Sequence, residues 1–556
     1  MSSEIKNIET FSAKKIIICL IIIGLISLGL KLYLVDFSIP IQSDALEYAL
    51  HANAISEGQF LQHPQRHSGW PLLIAPFFSL VNSENFLDYS NIVRILSIGV
   101  SAVTIPLVYL LGRKFFDKKL SLIAASLFAF EPRLNQISGI GLSEPLFILV
   151  IVSSFYFILD KNNRYVVIPF ILTGIIWWIR PNGFMMLLII SIIYFIYFRN
   201  SSHSIRNYLI YIVIVFLIVS PMLIQRYDQF GDPMYNWIAE RIWVGEYAMS
   251  RSVNIESDTY TATDYISDNG ILSFFDKFVL TGMYNVLSIA GRMTFPYFFI
   301  LLPLGLYFSV KSSGINRNHL TALWVFIIAS MGTMVLAFSV IPDKRLILFL
   351  FPFFSILATI PIMKLQNNKT NKFLLTMNQN NVLILTIIVS VVIVSTVYTL
   401  GYENPDPILE KEKLEFAKYM VYDLNAKLLF EHTHFQNYFN HPAVYNQPEM
   451  FKSIRITEDW DETKLFFNYP DEVGDRLMVY GESMDELVFN GEKFGLTHIM
   501  SAKDGDSFFS FVDELYEDEK KYPYLTKVFD AENEDYEKLR IKVFRIDYDV
   551  FKSGKL

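Results

Sequence analysis

Cysteine is nearly absent: Cys19 alone occurs in 556 residues, inside an apolar run, so no intramolecular disulfide can form. Charge is scarce too, with 18% Asp, Glu, Lys and Arg against 52% hydrophobic residues, which excludes an ordinary soluble domain. No internal repeat and no His-Glu-x-x-His motif occur, and the tail holds no Gly-rich phosphate loop. The cofactor is therefore left open. A divalent metal is possible, but ligand spacing does not indicate one, since Pro64 breaks any helical pairing of His63 with His67. The formal charge of −8 is uneven, with about −14 beyond Gly401 and about +6 before it. An acidic tail argues against nucleic acid or anionic headgroups as partners.

What the chain does have is apolar runs of membrane length. Spans are predicted near Ile16–Val35, Asn91–Leu111, Leu120–Leu134, Ser143–Leu159, Val166–Ile179, Gly183–Phe198, Tyr208–Ile224, Thr294–Val310, Leu320–Ala337, Leu346–Met363 and Val382–Leu400. The first is too long for a secretory signal and no small-residue cleavage site follows it. About eleven crossings place the basic loops Arg113/Lys114/Lys118/Lys119, Lys161/Arg164, Arg199/Arg206, Lys311/Arg317 and Lys364/Lys369/Lys372 on one side. By the positive-inside rule that side is cytoplasmic, with the N-terminus. The loops at 38–90 and 225–293 and everything after Gly401 are then outside.

Two runs are short. Val166–Ile179 and Gly183–Phe198 would span only about 21–24 Å, less than the ~30 Å hydrocarbon thickness. They read as a hairpin whose tip, Arg180-Pro181-Asn182-Gly183, opens into an outward cavity. Arg226 to Pro233 reads as a turn. Beyond Gly401 helical spacing (Glu410–Leu424, Met484–Phe494) alternates with short strands (Lys427–Phe430, Leu477–Tyr480, Thr497–Ser501, Leu539–Tyr548). The expected fold is a polytopic α-helical membrane domain over residues 1–400 and a small α/β extracytoplasmic domain over 401–556.

Chemistry concentrates at the outer boundary. Ser43 is a plausible N-cap for a helix lying along the bilayer surface. Asp44, Glu47, Tyr48 and His51 then share one polar face. Glu144 and Arg345 each start a span, and Arg180 sits at the hairpin tip. Carboxylates and cations converging there suit an anionic lipid substrate and a proton transfer. Each residue also has a plain role open to it: dipole stabilisation for Asp44, a span-start position for Glu144, a headgroup anchor for Arg345.

Ser43-Asp44-Ala45-Leu46-Glu47-Tyr48, Gly69-Trp70-Pro71-Leu72-Leu73, Ser143-Glu144-Pro145-Leu146, Arg180-Pro181-Asn182-Gly183, and Arg345 leading an apolar helix with Pro352 appear in that order. Over roughly the first 400 residues this pattern resembles the GT-C superfamily of membrane glycosyltransferases, nearest the dolichyl-phosphate-mannose–protein mannosyltransferases and the bacterial aminoarabinose transferases. The tail resembles the extracytoplasmic domains of some archaeal members. The Trp-Trp-Asp-Tyr-Gly motif of oligosaccharyltransferases is missing, since Trp177-Trp178 continues as Ile179-Arg180, which argues against block transfer of an oligosaccharide to Asn. The resemblance implies a polyprenyl-phosphate-linked monosaccharide donor and transfer, with inversion, to a hydroxyl of a glycan, lipid or protein on the outer face. It makes Asp44 the catalytic base and Glu144 the second acidic position. Arg345 and Arg180 would hold the lipid phosphate, with Lys344 and Arg66 in reserve and Glu47, Tyr48 and His51 lining the substrate site. The helix dipole would weaken Asp44 as a base, a tension that burial against Tyr48 and membrane lipid could offset. The rival classes are a multi-span transporter or lipid flippase and a bare anchor for the outer domain.

Overall fold

Three helix starts in the first part of the chain are set by capping side chains. Asn85 accepts from the Leu87 amide at 3.0 Å and starts Phe86–Gly112. Asp117 accepts from Lys119 and Leu120, each at 2.9 Å, and starts Lys118–Ala129. Glu131, followed by Pro132, accepts from Leu134 at 2.8 Å and starts Pro132–Ile140. Each cap satisfies amides that the first helical turn leaves without partners. The structure, a computed structural model, describes residues 12–81, 83–160, 165–252, 260–311, 314–367, 377–402, 406–429, 438, 444–445, 448–457, 467–468, 476–477, 479–503 and 507–554. Lys161, Arg164, Lys369 and Lys372 of the inside loops, and Phe430 and Met478 of two expected strands, lie outside them.

All eleven apolar runs contain helix. Seven helices are long and apolar enough to cross a membrane, or up to eight if the pair Ile271–Met293 and Phe298–Val310, bent by 116°, is one span. The other helices, Lys118–Ala129, Glu144–Ile158, Val167–Ile179 and Phe298–Val310, have 12, 15, 13 and 13 residues. Eleven full spans are therefore more than helix length supports among the described residues. The protein is a multi-pass membrane protein all the same. In Ser204–Phe230 the exposed side chains Ile205, Leu209, Val213 and Leu217 recur every four residues, a stripe suited to lipid. Phe351–Asn367 is buried nearly all round, and Phe155, Phe326 and Phe353 pack there with ring centroids 4.1–5.2 Å apart.

The expected hairpin is present. Val167–Ile179 ends at Arg180, which is extended, and a 3-10 turn Pro181–Gly183 leads into Phe184–Phe198. A Cβ on Gly183 would lie 2.6 Å from the Trp177 Cα, so the tight return requires glycine. Gly69, which opens the helix Gly69–Ser79, likewise meets the Trp178 backbone, where a Cβ would lie at 2.7 Å.

Two expectations need correction. The polar face of the Asp44–Ser56 helix is not free. Ten of its residues, from Ala45 to Ile55, are buried, because the helix packs on Gly69–Ser79 and Phe86–Gly112 and meets Phe451 and the strand Arg455–Ile456 of the C-terminal region. Arg226 to Pro233 is not a turn throughout, since the helix from Ser204 runs on to Phe230 and ends at Gly231 in the left-handed conformation. Arg226 is thus a buried helical residue, and its guanidinium donates to the carbonyls of His63 (3.0 Å), Pro64 (3.4 Å) and Tyr235.

Beyond Leu400 the chain forms a five-stranded mixed sheet. The order is Arg476–Leu477, Leu428–Leu429, His498–Ala502, Ile541–Ile546, Leu525–Asp530, with the first two pairings parallel and the last two antiparallel. Pro407–Lys418 and Met484–Lys493 are the helices foreseen there.

Candidate active site

Asp44 begins its helix at the position read from the sequence, but Ser43 does not cap it. The Ser43 side chain makes no cap bond, and its backbone has φ +52°, a region that L side chains rarely adopt. The Asp44 carboxylate instead faces two guanidinium groups. Arg66 Nη2 lies 2.5 Å from Oδ1 and Arg345 Nη1 2.7 Å from Oδ2. Burial works against its ionisation, but Arg66 and Arg345 hold the carboxyl well below the usual carboxylate range. Its side chain keeps 28% exposure.

Arg345 is placed by its own turn. Asp343 starts the 3-10 helix Lys344–Leu350, accepting from the Arg345 amide at 2.8 Å and from Arg345 Nε at 2.7 Å. The guanidinium then stands between two spaces. One is a narrow cleft also lined by Glu144, Arg180 and Asn182, in which Arg180 Nη1 lies 2.7 Å from Glu144 Oε1. Glu144 opens the helix Glu144–Ile158, and the Ser143 hydroxyl before it lies 3.2 Å from the Tyr48 hydroxyl. Tyr48 thereby ties the Asp44 helix to the Glu144 helix.

The other space is a cavity of about 680 Å³ lined by Lys344, Arg345, Arg133, Arg292, Tyr398 and Tyr402 among others. Arg133 and Arg292 were not singled out from the sequence. Arg133 was reachable, because the run Leu120–Leu134 encloses it, and an ionisable residue inside a predicted span is a site signal in its own right. Its guanidinium is fixed by Glu131 (3.1 Å) and by the carbonyls of Met293 (3.0 Å) and Phe295 (2.6 Å). Arg292 donates to the Ser288 hydroxyl at 3.0 Å.

The remaining residues sit on the far side of Asp44. Arg66 pairs with Asp44 and Glu47, and Glu47 also lies 3.4 Å from His63 Nε2, so Arg66 is not presented to the cavity. His51 is buried and donates to the Leu61 carbonyl at 2.9 Å, away from both spaces. Burial holds His51 and His67 down to about 3, the latter also repelled by Arg226. Among the described residues no three His, Cys, Asp or Glu side chains converge on a point. The positive charge opposite both oxygens of Asp44 comes from arginine.

Residues 70–225 match the family model described as dolichyl-phosphate-mannose-protein mannosyltransferase, a stretch that includes Glu144 and Arg180 but not Asp44, Arg66 or Arg345. No curated protein matches the chain in sequence. Among solved structures, ArnT from Cupriavidus metallidurans bound to undecaprenyl phosphate aligns over 96% of this chain and 98% of its own, with TM-score 0.52 and 12% identity. The archaeal oligosaccharyltransferase AglB from Archaeoglobus fulgidus, in complex with an inhibitory peptide and a dolichol-phosphate, aligns over 89% of this chain and 70% of its own, with TM-score 0.53 and 15% identity. The Archaeoglobus fulgidus oligosaccharyltransferase tethered to an acceptor peptide gives TM-score 0.54 at 15% identity, over the same shares of the two chains. At these identities the likeness is one of fold. The chain has the fold of the GT-C membrane glycosyltransferases, and the resemblance read from its motifs stands.

Proposed function

We propose that the protein moves a monosaccharide from a polyprenyl-phosphate donor to a hydroxyl of a glycan, lipid or protein acceptor on the outer face of the membrane, with inversion. The observation that carries this reading is the position of Arg345, bonded to the Asp44 carboxylate and lining a cavity with three further cations. A carboxylate beside a polycationic cavity fits a proton transfer coupled to departure of a phosphate. The donor phosphate takes the cavity with Arg345, Lys344, Arg133 and Arg292, whose volume of about 680 Å³ also leaves room for the sugar. The acceptor hydroxyl gives its proton to Asp44 as its oxygen attacks the anomeric carbon from the side opposite the phosphate. The bond from that carbon to the phosphate oxygen breaks, and polyprenyl phosphate leaves with its charge held by the cations.

Asp44 doubly paired is a weak base. The donor resolves this by exchange of partners: its phosphate competes for Arg345, and the carboxylate so released regains proton affinity next to the acceptor. The phosphate-free form then carries a masked base. Residues 1–400 form the transferase domain on this reading and residues 401–556 an extracytoplasmic domain, with the N-terminus cytoplasmic. The test is incubation of purified protein with polyprenyl-phosphate sugars and candidate acceptors, reading release of polyprenyl phosphate. Acceptor-dependent release supports the reading. Movement of intact lipid across the bilayer without release would overturn it in favour of a flippase.

A further inference from the structure

Two of the three residues before Asp44, Ile41 and Gln42, are bonded to groups far away in sequence. The Ile41 amide donates to Ser90 Oγ at 2.7 Å, and the Ile41 carbonyl accepts from the Tyr445 hydroxyl at 2.9 Å. The Gln42 side chain donates through Nε2 to Glu410 at 2.9 Å and to the Tyr438 hydroxyl at 2.6 Å, while Tyr438 donates to the same Glu410 oxygen at 2.6 Å. Lys413 fixes the other oxygen of Glu410 at 2.7 Å. Ser43 follows with φ +52°, and Asp44 comes next. The far end of the same helix is also tied down. Asn53 donates to the Phe451 carbonyl at 3.1 Å, and Gln59 Oε1 accepts from the Ile456 amide at 3.1 Å. Tyr445, Tyr438, Glu410, Phe451 and Ile456 all belong to the chain beyond Gly401.

We propose that the C-terminal region is a positioning clamp for Asp44, with Glu410, Tyr438 and Tyr445 holding the Ile41–Ser43 backbone in the pose that aims the carboxylate at Arg345. The proposal rests on the reading of Asp44 as the base. A non-glycine residue persists at positive φ only where its surroundings over-determine it. Here the surroundings are bonds on both flanks: Ile41 and Gln42 are held from outside the helix, and Asp44 by two arginines. The cavity cations Arg133, Arg292 and Lys344 take no part in this network. Loosening the clamp therefore misplaces the base and leaves the phosphate site standing. Misplacement of a reacting group by about 1 Å lowers rate rather than affinity.

Full-length purified Glu410→Ala and Tyr445→Phe would be compared with wild type for turnover and for binding of free polyprenyl phosphate. The expected result is a fall in kcat of about tenfold with phosphate binding unchanged or tightened by up to about tenfold, since a misplaced Asp44 competes less for Arg345. Glu410→Gln, which keeps an acceptor for the Gln42 amide, should lose less than Glu410→Ala. Adding Ser43→Gly to Glu410→Ala should recover at least about threefold of the lost rate, because glycine takes the pose without being held there. Equal losses of binding and turnover would make these contacts mere docking and overturn the proposal. Asp44→Asn run alongside separates the two failures. If it is inactive while the clamp variants turn over at the wild-type rate, the clamp falls and the base stands. If Asp44→Asn is itself fully active, the base reading falls and the clamp with it.

Discussion

Asp44→Asn separates the chemistry from the packing, because it keeps side-chain size and one acceptor while removing both the base and the charge. Two effects follow, of opposite sign. Without a general base, turnover should fall by at least about 10²-fold. The second effect concerns the resting state, in which Arg345 donates to Asp44 at 2.7 Å with about a third of the Arg345 side chain exposed. Phosphate arriving in the cavity must take that guanidinium from the carboxylate. A charge-assisted pair in partly exposed surroundings is worth on the order of 1–1.5 kcal/mol. Removing the competitor should therefore tighten binding of free polyprenyl phosphate by roughly tenfold. Initial rates of polyprenyl phosphate release measure the first effect, and titration of detergent-solubilised protein with polyprenyl phosphate measures the second. Wild-type turnover would refute the assignment of the base. Binding that stays within twofold would refute the exchange of partners, since Arg345 would then not leave Asp44 when phosphate binds.

Glu47→Gln should cost less turnover than Asp44→Asn, because Glu47 is held by Arg66 beside His63 and away from the cavity; rates of the two variants side by side check this. Arg292→Ala and Arg345→Ala should each raise the donor KM by roughly five- to thirtyfold, a loss of about 1–2 kcal/mol, read from donor titrations at saturating acceptor. Stability should fall on acidification. His51 and His67 bind protons near 6.5 when unfolded and only near 3 when folded, so the unfolded chain gains protons that the fold excludes. The stability lost is roughly 3 kcal/mol for each by pH 4, visible as a falling Tm in detergent between pH 6.5 and 4, and a flat Tm would contradict it. A tag at Lys118 or Asn200 should be protected in intact cells and one at Gly554 accessible; a protected C-terminus would reverse the proposed topology.

The sequence was most informative where a single physical rule acts locally. Apolar run length located helix in all eleven runs, and the start of the Asp44 helix, the Arg180 break and the start of Glu144–Ile158 fall where propensity and proline placed them. It was weakest where position depends on distant partners. Ser43 has the residue type of a cap, but its backbone lies at φ +52° and its side chain caps nothing, while the neighbouring Ile41 carbonyl and Gln42 side chain are bonded from beyond Gly401. Arg66 is basic and near the site, yet only the fold reveals that Glu47 draws it to the far side of Asp44. The strand Leu525–Asp530 was missed because it carries two charges and a bulge, and it owes its extension to the neighbouring Ile541–Ile546.

The helix breaks and the residues of the site are two sides of one constraint. A charged side chain within hydrocarbon is costly, and backbone can leave the helix at membrane depth only where protein or water surrounds it. Asp44 and Glu144 open helices of 13 and 15 residues, and Arg180 sits in the hairpin break. Arg345 lies in a 3-10 turn, Arg133 just after the break at Phe130–Glu131, and Arg292 just before the 116° bend. Six charged groups thus come from six interruptions. Had unbroken helix run through these points, each group would lie inside a span and face either lipid or a neighbouring helix. Behind the site, Phe155 of Glu144–Ile158 packs against Phe326 of Arg317–Val340 and Phe353 of Phe351–Asn367, a rigid wall of three helices. A charged residue at the point where a helix begins or breaks is therefore the best pointer to the site that this sequence contains.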